Sequence, residues 1–305
     1  MRARRSIPIR PILACLLATA LVAAGCTSEE VPDAGRGKGA PVGAGDRYVA
    51  IGDSYTAAYL TGPTDTSSGG CLRSLANYPH LVAEELDLDL TDVSCGGAST
   101  EAVEGGFTAL DGSRIDPQLD AIDGGVDLVT ISIGANDFNT FGGIVVNCVQ
   151  VAASDPDGSP CADIAERATG GDTVDRTAER IRGRVLEAIG AVVDKAPEAR
   201  VVVVGYPQVF PATDSCEQLP LARGDVAFAY DVLRGVTDAL ESAAEEAGAE
   251  YVDVWSASAG HDICGDEPWI AGARPTRTDG TAYHPFPEEQ ELVGDLVVDQ
   301  LRARA

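Results

Sequence analysis

The stretch Tyr48-Val49-Ala50-Ile51-Gly52-Asp53-Ser54-Tyr55-Thr56 decides how the chain is read. An apolar run of strand character stops at Gly-Asp-Ser, where a buried strand would hand over to a helix. A serine on that turn has two readings. As a nucleophile, its Oγ is held at the edge of a sheet while the first amides of the next helix face a developing anion. As a structural residue, Asp53 or Ser54 caps the helix, which both residue types do often. The stretch alone does not choose between them.

Outward from it, further apolar runs with strand character occur at Leu88–Val93, Leu128–Ile133, Val201–Tyr206 and Tyr251–Val254. Helical patterns lie between and after them, at Tyr78–Leu86, Val174–Lys195, Val226–Ala247 and Pro287–Arg302. In the second of these, Val174, Ala178, Ile181, Val185, Ile189 and Val192 recur on one face, with Asp, Arg and Glu opposite. Strands alternating with amphipathic helices predict an α/β fold: a mainly parallel five-stranded sheet covered on both faces, a three-layer α/β/α sandwich. There is no internal repeat and no second domain is expected. Residues 142–173, with Pro, Gly, Asp and two cysteines, read as a long disulfide-tied loop. In such sheets the ligand crevice opens at the carboxyl ends of the strands, and Ser54 sits at one.

The 305 residues are ample for one large domain, and the few aromatics leave a core of Ala, Val and Leu. Formal net charge is -26; removing the four arginines of residues 1–25, which carry no acid, leaves -30. Phosphate binding needs Lys and Arg to displace counterions, so no nucleic-acid partner is expected and anionic membrane is repelled. Residues 1–25 run from basic Met1-Arg2-Ala3-Arg4-Arg5 through an apolar stretch to small residues, the layout of a secretory signal peptide and too short for a membrane span. The end, Leu21-Val22-Ala23-Ala24-Gly25-Cys26, resembles the lipobox of bacterial lipoproteins, with Ala23 where Leu is usual. Lipidation of Cys26 would hold an exported protein on the outer face of the cell membrane, its only expected contact with a bilayer. Residues 26–46 are small and polar and read as a flexible linker, so the folded domain is expected over 47–305, acting as a monomer.

Beyond Cys15 in the signal and Cys26, six cysteines remain, and an even number in an exported chain reads as disulfides. Six allow 15 connectivities. Sequential pairing, Cys71–Cys95, Cys148–Cys161 and Cys216–Cys264, is favoured because each bond closes a local loop beside a probable strand end. A metal site would want close pairs such as C-x-x-C, which do not occur, so none is expected.

Three more segments fall beyond expected strand ends: Ser94-Cys95-Gly96-Gly97-Ala98-Ser99, Ile133-Gly134-Ala135-Asn136-Asp137-Phe138, and Ala282-Tyr283-His284-Pro285. With Gly52-Asp53-Ser54 they resemble, in order and spacing, the four blocks of the SGNH hydrolases, also called the GDSL lipase and esterase family. The resemblance spans essentially all of residues 47–305. It implies that Ser54 is the nucleophile and His284 the general base, with the oxyanion hole made by the Ser54 and Gly97 main-chain N–H groups and the Asn136 amide. The chemistry asks for these types independently: a hydroxyl of high pKa needs a base within reach, and a tetrahedral oxyanion needs neutral donors already aimed at it. No metal or organic cofactor is required. The substrate would be a small-molecule, lipid or polysaccharide ester. The alternatives are a carbohydrate O-acetyl esterase and a non-catalytic binding lipoprotein that keeps the fold.

The family's last block usually reads Asp-x-x-His, but Thr281 stands three residues before His284 and Asp279 five before. Either Asp279 reaches the imidazole, or a backbone carbonyl near Thr281 orients it, as in some secreted bacterial members with three disulfides; the carbonyl is favoured. The other two histidines have plain readings: His80 as a surface or packing residue, His261 as part of a cysteine-tied loop. Asp137 is expected to hold its turn. Trp255 and Trp269 are expected in the core or at a rim, with Trp269 a candidate for the acyl pocket.

Overall fold

The computed structural model describes residues 39–109 and 111–303. The signal segment and Cys26 lie outside them. In chain order the described residues form β1 (Arg47–Gly52), α1 (Ser54–Ala57), α2 (Tyr78–Leu86), β2 (Asp89–Asp92), α3 (Glu101–Gly105), β3 (Phe107–Thr108), β4 (Arg114–Ile115), β5 (Leu128–Ser132), α4 (Thr140–Gly142), α5 (Val149–Ala152), α6 (Pro160–Thr169), α7 (Thr173–Lys195), β6 (Arg200–Val204), α8 (Asp225–Ala247), β7 (Glu250–Val252), α9 (Val254–Ala257) and α10 (Pro287–Arg302). Single turns of 3₁₀ helix occur at Gln118–Ala121 and Asp137–Asn139, and a longer one at Thr66–Cys71.

Five strands make one parallel sheet in the order β2-β1-β5-β6-β7. Its centre is β1 beside β5, with Tyr48 opposite Leu128 and Gly52 opposite Ser132. The period of two along a strand sorts the side chains into two cores. Val49, Ile51, Val129, Ile131, Val201 and Val203 face one way, onto Ile181, Val185 and Ile189 of α7 and Val236 and Leu240 of α8. Tyr48, Ala50, Leu128, Val202 and Val204 face the other, onto Tyr78 and Val82 of α2 and Val293, Val297 and Leu301 of α10. Burial on both sides is why these strands are nearly all aliphatic, while the edge strand β2, Asp-Leu-Thr-Asp, alternates exposed and half-buried. The fold is thus the expected three-layer α/β sandwich.

Three disulfides join Cys71 to Cys95, Cys148 to Cys161 and Cys216 to Cys264, the sequential pairing.

Several local expectations are corrected. Residues 142–173 are not a loop: α4 passes into a π-helical turn at Gly143–Cys148 and then α5, and α6 follows. The start of α6 is capped from a distance, its Cys161 and Ala162 N–H groups donating to the Asp225 carboxylate of α8 at 3.0 and 2.9 Å. No local pattern announces a cap from α8. The hairpin β3–β4 was not anticipated either, being two residues on each side. The fourth main strand ends at Val204, because Gly205 and Tyr206 leave the sheet for the site below. Residues 39–46, assigned to the linker, lie against the domain: Val42 packs on the second core, and Gly45 N–H donates to the Asp87 carbonyl at 2.7 Å.

Candidate active site

The capping reading of the Asp53-Ser54 turn holds, and the cap leaves Ser54 at the start of the helix. Asp53 is the N-cap of α1, its Oδ1 accepting from the Tyr55 N–H at 2.9 Å, and Ser54 is the first helical residue, 7% exposed. The turn is clamped from behind by the buried Gln118, whose Oε1 accepts from the Gly52 N–H at 3.1 Å and whose Nε2 donates to the Gly52 carbonyl at 2.8 Å. A Cβ at Gly52 would collide with the Thr56 side chain and the Ser132 carbonyl, so only glycine passes there.

Asp53 does more than cap. Its Oδ2 accepts from the Tyr206 hydroxyl at 2.6 Å, and that hydroxyl accepts from the Ala135 N–H at 3.3 Å. One phenol just beyond β6 therefore ties the serine turn to the asparagine turn. Burial pushes the Asp53 carboxyl up to about 7, against the downward pull of its bonds from Tyr206 and Tyr55.

The two loops expected to supply oxyanion donors are fastened to each other. Asp137 accepts from the Thr100 N–H at 2.8 Å and from its hydroxyl at 2.5 Å. So the Asp137 carboxylate holds the neighbouring loop, while its own turn is held through the Asp137 main chain. Asn136 Nδ2 donates to the Ala98 carbonyl at 2.9 Å. Cys95 N–H donates to the Gly52 carbonyl at 3.1 Å, and Gly96 N–H to the Cys71 carbonyl at 3.3 Å, so the first disulfide sits under this loop. Gly97 has φ +82 with open space where a Cβ would be, a conformation that favours glycine and leaves the backbone bare. Among the described residues, neither the Ser54 nor the Gly97 N–H donates to a main-chain carbonyl.

In the histidine segment it is a backbone carbonyl near Thr281, rather than the Asp279 carboxylate, that meets the ring. His284 Nδ1 lies 2.8 Å from the Ala282 carbonyl, not from Thr281 or Asp279. The Thr281 carbonyl is taken by the His284 main-chain N–H at 3.0 Å. Asp279 is held by Arg277, with Nε to Oδ1 at 2.9 Å, and the guanidinium keeps this carboxyl below its ordinary pKa. A carbonyl only accepts, so Nδ1 carries the hydrogen and Nε2 the lone pair. The half-buried imidazole is ringed by Tyr55, Tyr59 and Phe141, with centroids 5.8, 5.4 and 6.5 Å away. Burial lowers the His284 pKa below the ordinary histidine value, with the Ala282 hydrogen bond opposing.

These segments meet in a cleft of about 170 Å³. Ser54, Gly97, Asn136 and His284 all line it, and Tyr59, Phe141 and Val145 supply apolar wall. The last three escape the sequence reading because nothing marks an aromatic that faces a cleft from one that faces a core. Trp269 does not line it; it stacks on His261 at 3.5 Å, while His261 Nδ1 meets the Glu267 carbonyl at 2.8 Å. Trp255 is core, against Tyr230. His80 meets Asn77 at the start of α2.

The parallel sandwich and the residues gathered at the carboxyl end of β1 are those of the SGNH class. Residues 50–289 match the GDSL-like lipase/acylhydrolase family, and the chain belongs to it; it is a carboxylic ester hydrolase. It is 43% identical over 221 residues to Lipase 2 of Streptomyces coelicolor, covering 71% of this chain and 72% of that one. Lipase 1 of the same organism is 33% identical, over 79% of this chain and 81% of its own length. Among solved structures, phospholipase A1 from Streptomyces albidoflavus superimposes with a TM-score of 0.69 at 28% identity, over 86% of this chain and all of that one. An extracellular lipase from Streptomyces rimosus follows at 0.65 and 26% identity, over 85% of this chain and again all of that one.

Proposed function

We propose that the chain hydrolyses carboxylic esters through an acyl-enzyme on Ser54, with His284 as general base. The observation that carries this reading is the cleft lined by both Ser54 and His284, with the Nδ1–H of that histidine committed to the Ala282 carbonyl. His284 Nε2 takes the proton as Ser54 Oγ bonds to the carbonyl carbon, and the oxyanion forms against the Ser54 N–H, the Gly97 N–H and the Asn136 amide. Collapse breaks the ester bond, and the imidazolium returns its proton to the departing alcohol. Water then attacks the acyl-enzyme with His284 again as base, releasing the acid and free Ser54. The lowered His284 pKa keeps the ring neutral, as a base must be before the attack.

The apolar wall of Tyr59, Phe141 and Val145 supports an acyl chain as the group bound, hence a lipase or fatty-acyl esterase. The small volume favours a second reading, an esterase that removes short groups such as acetyl from polysaccharide. Hydrolysis of p-nitrophenyl esters from acetate to palmitate, alongside a phospholipid, decides between them: acetate-only turnover selects the O-acetyl reading. In the same assay Ser54→Ala should lose on the order of 10⁴-fold or more in kcat; unchanged turnover overturns the serine mechanism.

Export is proposed on the signal-like N-terminus, the three disulfides and the likeness to an extracellular lipase. Anchoring through Cys26 is a separate proposal, resting on the lipobox resemblance alone; Cys26→Ala should move the protein from membrane to medium. The proposed unit is one chain, since Ser54, Gly97, Asn136 and His284 already meet within it.

A further inference from the structure

With no carboxylate on His284 among the described residues, something else must fix the direction in which its ring enters the cleft. The residue before it, Tyr283, has φ +62, a left-handed conformation that a bulky side chain adopts only when its surroundings impose it. Four main-chain bonds surround this point: Tyr283 N–H to the Ala271 carbonyl at 2.9 Å, Ala271 N–H to the His284 carbonyl at 2.9 Å, His284 N–H to the Thr281 carbonyl at 3.0 Å and Phe286 N–H to the Trp269 carbonyl at 2.7 Å. None of them touches the Tyr283 carbonyl. That oxygen accepts a side-chain bond instead, from the Tyr55 hydroxyl at 2.8 Å. Tyr55 directly follows Ser54, and it is buried and doubly fixed. Its own carbonyl accepts from Gln290 Nε2 at 3.1 Å, and its ring meets Phe141 and Tyr206 edge-on at 5.8 and 5.7 Å while lying 29° from the plane of the imidazole.

We propose that Tyr55 is a positioning residue for His284: by holding the Tyr283 peptide in its left-handed setting and flanking the imidazole, it couples the placement of the base to that of the neighbouring Ser54. The proposal rests on the reading of His284 as base. Tyr55 touches no reacting atom, and it is absent from the cleft lining. Burial, with Glu289 and Asp53 nearby, raises the phenol pKa well above its ordinary value, so the hydroxyl stays a donor. A tyrosine serving only the core would need its ring but not this bond.

The test compares Tyr55→Phe, which keeps the ring, with Thr61→Val. The Thr61 hydroxyl makes the matching bond on the far side of the histidine, donating to the Pro285 carbonyl at 2.8 Å. Tyr55→Phe should lower kcat about 10- to 100-fold with KM within about 2-fold, and should shift or broaden the downfield Nδ1–H proton resonance of His284. Thr61→Val should lower Tm and leave kcat within about 3-fold. Wild-type kcat and an unchanged Nδ1–H signal in Tyr55→Phe overturn the proposal. So does an equal loss of kcat in Thr61→Val, which would mean generic loop anchoring, or an unfolded Tyr55→Phe, which would place the hydroxyl in the fold. His284→Ala is measured in parallel: if it retains turnover, the base assignment fails instead, and the two failures are distinguishable.

Discussion

At the scale of single residues, the site is a set of side chains whose neighbours already satisfy most of their bonds. Asn136 spends one amide N–H on Ala98 and has a second to give to an oxyanion. Asn136→Ala should therefore lower kcat by about 10² to 10³ with little change in KM, read by steady-state kinetics on a short-chain ester. Asp279 is occupied by Arg277, so Asp279→Asn should leave kcat near wild type. A large fall would mean that the carboxylate reaches the imidazole during turnover. The His284 pKa is lowered in the folded protein, and on the proposed mechanism its neutral form is the active one. The acid limb of kcat/KM should accordingly have its midpoint below about 6.5, the ordinary histidine value.

Among the elements, the loops matter more than the helices that frame them. The Cys71–Cys95 bond lies beneath Gly96 and Gly97 and joins them to the chain after α1. Replacing both cysteines with alanine should cost about 2 to 4 kcal/mol of stability, a fall in Tm of roughly 5 to 15 °C for a domain of this size, and should lower kcat as the Gly97 amide loses its aim. Calorimetry and kinetics on the double variant check both. The turn into α10 carries a second buried carboxyl. Glu289, bonded by Gln290 Nε2 at 2.6 Å, is pushed up to about 8 by burial, as Asp53 is to about 7. Both folded-state values lie above those of an unfolded chain, so the native state binds more protons and stability falls as pH rises. The loss should accumulate from about pH 4 to 8, approaching about 1.4 kcal/mol per pH unit for each group inside its window. Glu289→Gln should flatten the upper part of this fall in Tm measured from pH 5 to 9; an unchanged slope would mean that Glu289 is already ionised in the fold.

Across the whole molecule, charge governs what approaches the cleft. With -26 overall, the protein should bind anionic vesicles more weakly than zwitterionic ones of the same acyl chains at low salt, and the gap should narrow as ionic strength rises. A preference for anionic vesicles would place a local cationic surface at the mouth of the cleft. The sheet and its two helical layers were legible because burial on both faces leaves a mark in nearly every residue of β1, β5 and β6 and in each long helix. Segment 142–173 was not, because its helices are short and α6 takes its cap from Asp225 of α8.

From the sequence came the sheet, the four motif segments and, through their resemblance to a known family, the candidates Ser54, Gly97, Asn136 and His284; sequential cysteine pairing was one of 15 connectivities, favoured because each bond closes a local loop. Each depends on residue type and order along the chain, which local patterning records. Only the tertiary structure decided that the Ala282 carbonyl meets the imidazole while Asp279 is held by Arg277, because which partner each group finds depends on how the loop folds back on itself. It likewise decided that Tyr206 and Gln118 hold the serine turn and that Tyr55 reaches the histidine segment, since a hydrogen bond between residues 66 to 228 positions apart is a fact of packing and leaves no local trace. The opening Gly-Asp-Ser proved to be cap and candidate nucleophile at once: the same helix start that Asp53 satisfies leaves the Ser54 amide free to face the cleft.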